Sequence, residues 1–282
     1  MTDRTTFVVG YDGSDSDRAL VRTAAELVRG LDARLSIVHA LDMAGGDEAV
    51  TSGPAAIPHA VMAARIAERK RAAEVDLATV RADAAKSAGE GAVTASLFDG
   101  RPFEALTSTA AALETACIVV GARRGRSILA HTVDRVLRRA TQPVLVVPEG
   151  AAISPRGPVL ASLDGGEVDV RVWASATDLA RRLRRPLSLV HVRAPSDHEA
   201  MQRITAHLHV VAPEGIGDAT LSVVGVEGSI AKSIGAHAAR VSAALVVVGN
   251  HGRRGLERWV LGSTAESLAH ACTTPFLVTR AS

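Results

Sequence analysis

Short apolar runs alternate along the chain with longer segments in which apolar residues recur at helical spacing. Runs such as 116–120, 144–147 and 245–248 have no polar alternation, which is typical of strands buried on both faces. Segments such as 15–29 and 59–87 repeat apolar residues on one face, so they are predicted to be amphipathic helices. Because strands and helices alternate, we predict parallel strands joined by right-handed crossovers.

The pattern occurs twice, on either side of a Pro- and Gly-rich linker, PEGAAISPRGP. The two copies match at an offset of 152 residues for Asp12 and Asp164 and at an offset of 128 for Gly121 and Gly249. The difference between these offsets means that the second copy lacks 24 residues, so its helix around 198–209 is predicted to be short. We predict an α/β protein with two open five-stranded parallel-sheet domains and helices on both faces. The predicted boundaries are 1–149 for the first domain, 150–157 for the linker and 158–282 for the second domain.

Composition narrows the class of protein. Hydrophobic residues make up 47% and charged residues 22%, which is typical of a globular chain, and the formal net charge is only +2. Aromatic residues make up 2%, so the cores are predicted to be aliphatic and a base-stacking platform for nucleic acid is not favoured. No apolar stretch approaches the length of a membrane span, and the N-terminus does not resemble a signal peptide. Cys117 and Cys272 lie in apolar runs, which predicts reduced core thiols and a cytoplasmic location.

The second copy contains a segment suited to holding phosphate. A glycine-rich loop follows the apolar run 245–248, and Ser263 with Glu266 fits a capping box, so a helix is predicted to start there. Glycines let the backbone approach a ligand closely, and the N–H groups at a helix start favour an anion. The candidate residues are Gly249, His251, Gly252, Arg253, Gly262, Ser263 and Thr264. The alternative is an ordinary glycine-rich connection with a good cap and no ligand.

The spacing Gly249-x2-Gly252-x9-Gly262-Ser263 is similar to the nucleotide-binding pattern of the universal stress protein family. The resemblance extends over nearly the whole chain, as two consecutive copies. It implies a stress-response regulator that binds ATP or a related adenine nucleotide, with or without Mg²⁺.

The resemblance also assigns the adenosine side of the pocket. It implies that Asp12 and Asp164 lie at that side and that the backbone of Ala40 and Val192 lies against the adenine ring. Without the resemblance, the sequence favours a structural role for the two aspartates, as helix caps or Asx-turns at a strand-to-helix junction.

The first copy departs from the family pattern at its phosphate end. Gly121 to the proline before the last strand spans 22 residues, against 26 in the second copy. Ala130 and His131 stand where the second copy has Gly262 and Ser263. The candidates that remain are Gly121, Gly125 and Thr132. We therefore predict that the second domain is the better nucleotide site and that the first binds weakly or not at all.

The sequence does not favour an enzyme. It has neither a Walker-type phosphate loop nor a dinucleotide-binding glycine pattern after the first strand, and it shows no set of nucleophile, base and orienting group. No catalytic residue is predicted, although slow ATP hydrolysis stays open. His198, His207 and His209 have no carboxylate or cysteine companions at ligand spacing, so no metal site is predicted. The remaining alternative is a scaffold that binds partners and no ligand.

Assembly is expected to use the last strand of each copy. The segments 144–147 and 276–279 are short, aliphatic and would otherwise be exposed sheet edges. The family resemblance implies that such strands pair, so we predict a pseudo-dimer within one chain, with homodimers of the chain formed on top of it. A membrane partner is not expected.

Overall fold

The structure is a computed structural model, and it describes residues 4–41, 59–113, 116–122, 127–154, 156–250 and 263–280. The chain forms two compact units, Met1–Val119 and Val120–Ser282, with the boundary inside a strand. None of the helices among these described residues is long and apolar enough to cross a membrane.

The first unit is a parallel sheet with the strand order β3-β2-β1-β4. Its elements are β1 (Thr6–Tyr11), α1 (Asp15–Leu31), β2 (Arg34–Leu41), α2 (His59–Ala88), β3 (Val93–Asp99), α3 (Pro102–Ala111) and β4 (Ala116–Ala122), the last of which continues into the second unit. A short 3-10 helix, Glu90–Ala92, precedes β3. The side chain of Ser14 caps α1 by accepting a hydrogen bond from Asp17 N–H, which explains why this helix begins where it does.

The second unit holds the remaining strands in the order β5-β10-β9-β6-β7-β8. Its elements are α4 (Ser127–Arg139), β5 (Val144–Pro148), β6 (Val159–Ser162), α5 (Asp169–Leu183), β7 (Leu187–Arg193), α6 (Ala200–Val211), β8 (Thr220–Gly225), α7 (Ile230–Arg240), β9 (Leu245–Gly249), α8 (Ser263–Ala271) and β10 (Phe276–Thr279). All its strand pairs are parallel except β5 with β10, which are antiparallel.

The structure confirms the α/β class and the mostly parallel sheet. The helix predicted at 59–87 spans 30 residues as α2, whereas its counterpart α6 spans 12, as the missing residues of the second copy indicated. The predicted loop at 42–57 lies outside the described residues.

The cores are aliphatic, as the composition predicts. Among the largest side chains with about 2% exposure or less in the described part of the chain, Phe276 is the one aromatic residue and the others are Leu or Ile. Cys117 and Cys272 are buried thiols that are not joined in a disulfide, and burial raises the pKa of the Cys272 thiol, which keeps it protonated and unreactive.

A buried arginine joins the end of β10 to helix α4. Arg280 is 9% exposed, its Nη2 donates to the carbonyl oxygen of Val136 at 3.3 Å, and its Nε donates to that of Gln142 at 3.3 Å. Burial lowers the pKa of Arg280 to about 10, so the guanidinium is still charged at neutral pH. A cation at the C-terminal end of a helix satisfies its last carbonyls and is favoured by the helix dipole.

The end of the linker packs tightly against the turn after α7. The carbonyl oxygen of Pro158 accepts a hydrogen bond from Ala244 N–H at 2.8 Å. A Cβ added at Gly157 would lie 1.8 Å from the carbonyl oxygen of Ser242, so only glycine permits this approach.

We expect Gly157→Ala to lower the free energy of unfolding by about 3 kcal/mol, because backbone must move to admit the methyl group. Urea unfolding followed by circular dichroism measures the change. Gly225→Ala is the matched control, since an added Cβ there meets nothing within 4 Å, and it should change stability by less than about 0.5 kcal/mol. Equal effects of the two substitutions would contradict the close packing of the linker.

Candidate functional site

In each copy, the first strand lies inside the sheet, and the chain adds later strands on both of its sides. The direction in which strands are added therefore reverses at the first strand. β1 lies between β2 and β4, and β6 lies between β7 and β9. In open parallel sheets, ligands bind beyond the carboxyl ends of the two strands where the strand order reverses in this way. The candidate sites are therefore beyond β1 and β4 in the first copy and beyond β6 and β9 in the second.

The strand register fixes which residues follow these ends. The last pair between β6 and β9 in the second copy is Ala161 with Val247, and three residues further along lie Asp164 and Asn250. The last pair in the first copy is Val9 with Val119, and three residues further lie Asp12 and Ala122. Both predicted aspartates thus follow the first strand at the point of reversal.

The loop that carries Asp164 is held by a second aspartate. Asp164 Oδ1 accepts from Gly166 N–H at 2.8 Å, which is an Asx-turn. The carboxylate of Asp169 accepts from the N–H of Asp164 at 3.1 Å and from the N–H of Gly165 at 2.8 Å. Gly165 has φ +86°, a conformation that favours glycine.

The first copy repeats this loop. Asp12 Oδ1 accepts from Ser14 N–H at 2.9 Å, and Asp17 Oδ2 accepts from Asp12 N–H at 2.9 Å. Sequence reasoning missed Asp17 and Asp169 as residues that position the loop. The signal was present, since these two residues are separated by the same offset of 152 that relates Asp12 to Asp164.

Asp169 also contacts a histidine from helix α6. The residue is 3% exposed, and His207 Nε2 lies 3.0 Å from Asp169 Oδ2. The contact is close but lacks hydrogen-bond geometry, so it is an electrostatic contact that strengthens when the imidazole is protonated. This carboxylate is 38 residues away in the sequence, so it could not be found by looking for companions of His207 at ligand spacing.

The pKa of Asp169 is raised to about 6, first by burial and then by the nearby carboxylate of Asp164. The two backbone N–H groups and His207 oppose this rise because they stabilise the ionised form.

The first copy has different chemistry at the same place. Tyr11 Oη donates to Asp76 Oδ2 at 2.6 Å, and Arg18 forms an ion pair with the same carboxylate. The rings of Tyr11 and His39 are 5.7 Å apart. Burial and the contact with Asp76 both raise the pKa of Tyr11, so its hydroxyl stays protonated and donates. In the second copy Leu163 replaces Tyr11, and its carbonyl oxygen lies 2.8 Å from His191 Nδ1.

The residues predicted to lie against adenine occur at the expected edge of the sheet. Ala40 and Val192 are the residues before the last in β2 and β7, and they pair with Phe98 and Val224. They are therefore at the carboxyl ends of the strands next to β1 and β6.

The phosphate end of the second copy is described only in part. Gly249 is the last residue of β9, helix α8 begins at Ser263 as predicted, and Thr264 is its second residue. Because β9 and β10 are parallel neighbours, the helix between them starts at the carboxyl edge of the sheet. The remaining candidates, His251, Gly252, Arg253 and Gly262, lie outside the described residues.

The first copy differs at the corresponding helix. Gly121 lies in β4, and Gly125 is outside the described residues. Helix α4 begins at Ser127, so Thr132 is its sixth residue, whereas Thr264 is the second residue of α8. The shorter loop of the first copy leads into a helix that starts about one turn earlier, so Thr132 does not lie at the helix start where free N–H groups are available.

Asn250 is a polar residue that sequence reasoning did not select. It follows Gly249 directly and is 4% exposed. Its Oδ1 has no hydrogen-bond partner among the described residues. Within the described ranges, no group of three or more His, Cys, Asp or Glu side chains could hold a metal ion.

The raised pKa of Asp169 makes stability depend on pH. The folded state binds the proton of Asp169 more tightly than the unfolded state does. The protonated carboxyl therefore contributes to the free energy of unfolding below the ordinary pKa of 3.8, and this contribution is lost as pH rises through about 6. We expect the stability of the wild type relative to Asp169→Asn to fall by up to about 3 kcal/mol from pH 4 to pH 7.

Urea unfolding of both proteins across this range measures the difference. Asp17→Asn makes the same substitution at the corresponding position of the first copy and is the matched control for the change from a carboxylate to an amide. Parallel stability curves for the wild type and Asp169→Asn would contradict the prediction.

Comparison with known proteins supplies the family. Residues 4–148 and 156–280 each match the model of the universal stress protein family. A universal stress protein of Mycobacterium tuberculosis is 33% identical over 174 residues, a match that spans 56% of this chain and 58% of that relative. Another from the same organism is 24% identical over 293 residues and covers 98% of this chain and 96% of its own length.

Solved structures agree at the level of the fold. The crystal structure of a universal stress protein from Archaeoglobus fulgidus superimposes with a TM-score of 0.73 at 17% identity, covering 98% of each chain. The two segments matched by the family model together make up most of the sequence. The chain therefore belongs to the universal stress protein family.

Proposed function

We propose that the second copy, 158–282, binds ATP or a related adenine nucleotide, and that the protein is a cytoplasmic stress-response regulator that acts by binding rather than by turnover. The observation that carries the proposal is the position of Asp164. Its loop is held by Asp169 beyond the end of β6, next to the end of β9, where the strand order reverses.

Two further features support a nucleotide at this position. The chain enters α8 at the same edge of the sheet, and the free N–H groups of a helix start attract phosphate. On the other side of β6, Val192 offers backbone groups near the carboxyl end of β7, which can bind a purine edge without a particular side chain. A ligand that extends from β7 across β6 to β9 would meet apolar, polar and anion-binding groups in turn.

The first copy, 1–149, is proposed to be the weaker site. Its helix α4 starts about one turn earlier than α8, which leaves Thr132 inside the helix. Asp76 and Tyr11 also bring a partly buried carboxylate and a buried hydroxyl to the adenosine side, where the second copy has Leu163. These differences support a division in which one copy binds nucleotide and the other has lost that role.

We also propose that the two copies pair within one chain through their last strands. The support is the antiparallel pairing of β5 with β10, in which Leu145 faces Leu277, together with the contact of Arg280 with the end of α4. Each strand thereby satisfies the backbone groups of an edge that would otherwise be open.

The first experiment is a calorimetric titration of ATP with Mg²⁺ into the wild type, Asp164→Ala and Asp12→Ala. We expect Asp164→Ala to weaken binding by about 10- to 100-fold, since a hydrogen bond to a charged group contributes roughly 1.5–3 kcal/mol. Asp12→Ala is the matched control, because it makes the same change at the first site, and it should leave the affinity within about twofold.

Gly262→Asp gives an independent test of the phosphate end, because it adds a side chain and a negative charge where phosphate is proposed to bind. Loss of binding in this variant and in Asp164→Ala supports the second copy as the site. If the wild type gives no heat and no thermal shift with ATP, the proposal is wrong and the scaffold alternative is favoured.

Assembly is tested separately by light scattering. We expect the wild type to elute at twice the chain mass at micromolar concentration, as homodimers of the internally paired chain. A monomer at every workable concentration would remove the homodimer and leave the internal pairing of β5 with β10 intact.

A further inference from the structure

Asn250 has a buried amide oxygen that the protein itself does not satisfy. The residue is 4% exposed, and its Oδ1 has no hydrogen-bond partner among the described residues. A buried acceptor without a partner is destabilising, so each such group in a folded protein calls for an explanation. A ligand that donates a hydrogen bond to this oxygen would provide one.

The position of Asn250 makes the ligand explanation specific. It lies three residues beyond Val247, the last residue of β9 that pairs with β6, and Asp164 lies three residues beyond Ala161, the partner of Val247 in β6. The two oxygen-bearing side chains therefore follow the two strands between which the order reverses. The first copy has Asp12 and Ala122 at these positions, so the amide is present only in the copy that we propose to bind nucleotide.

The chemistry of the two side chains selects one part of a nucleotide. The carboxylate of Asp164 and Oδ1 of Asn250 are both acceptors, so the group they bind must offer two neighbouring donors. Phosphate offers acceptors and carries negative charge, which Asp164 would repel. An adenine edge alternates donors with acceptors, and we propose that it binds at Val192, on the other side of β6. The vicinal hydroxyls of a ribose are two adjacent donors, and they match.

We infer that Asn250 is a specificity-determining residue, which accepts a hydrogen bond from one ribose hydroxyl while Asp164 binds the other. The inference rests on the proposed binding of a nucleotide by the second copy. It deepens that proposal, because it limits the ligands to ribonucleotides and explains why the two copies differ at one strand end.

The test is a titration of ATP, 2′-deoxy-ATP and 3′-deoxy-ATP into the wild type, Asn250→Ala and Asp164→Ala. We expect the wild type to bind each deoxy analogue about 10-fold more weakly than ATP, which is the loss of one hydrogen bond. Asn250→Ala should bind ATP about 10-fold more weakly and should no longer distinguish ATP from one of the two analogues. Asp164→Ala should lose the distinction for the other analogue.

Two variants separate a hydrogen bond from a change in packing. Asn250→Asp keeps an acceptor and should keep the discrimination between ATP and the analogue. Thr177→Val is the matched control, because Thr177 in α5 also has a buried oxygen with no partner among the described residues, and it should leave all three affinities unchanged.

The outcomes distinguish the two proposals. If the wild type binds ATP and Asn250→Ala changes the affinity for ATP and both analogues by the same factor or by none, the role of Asn250 is wrong and nucleotide binding stands. If the wild type binds no nucleotide, both proposals are wrong.

Discussion

The reversal of strand order on either side of the first strand is the constraint on which this protein depends. Right-handed crossovers carry the chain from β6 to β7 on one side and bring it back to β9 on the other. The connections that leave β6 and β9 therefore lead away from each other, and a crevice is left beyond the carboxyl ends of these two strands. Polar residues that immediately follow these two strands are therefore brought together by topology, although they are far apart in sequence.

Such a position must be made rigid before it can be selective. In the second copy, Asp169 fixes the loop through two backbone N–H groups, and helix α6 adds His207 to the same carboxylate. In the first copy, helix α2 instead contributes Asp76, which Tyr11 and Arg18 engage. In the second copy this contact starts from Asp169, the first residue of α5, and in the first copy it starts from Tyr11, the last residue of β1. Both contacts reach the helix after the second strand, but they start from different positions and use different groups.

Much of this could be predicted from the sequence. The apolar runs and the repeat offsets predict the strands, the parallel pairing and the shortness of α6, because these depend on local periodicity and chain length. The start of α8 at Ser263 follows from a local cap signal. The earlier start of α4 could not be predicted in the same way, since the first copy has no capping box at Ser127.

The partners of the polar residues were harder to predict, because they come from distant elements. His207 meets Asp169, and Tyr11 meets Asp76, only when a crossover helix returns to the sheet. The unsatisfied oxygen of Asn250 could not be predicted from the sequence for a different reason. An unsatisfied oxygen can be recognised only once burial and neighbours are known, and the residue type alone gives no signal.

The guanidinium of Arg280 has a consequence for how such duplicated chains can evolve. It belongs to the second copy, yet it satisfies carbonyl oxygens at the end of α4, a helix of the first copy. Mutations in the ligand loops can accumulate independently in the two copies, because this contact does not involve those loops. The copies themselves are not interchangeable, because one copy supplies a hydrogen-bond donor to the other. A recombination event that replaced the second half with that of a relative would preserve the first half only if the incoming half also supplied a cation at this position.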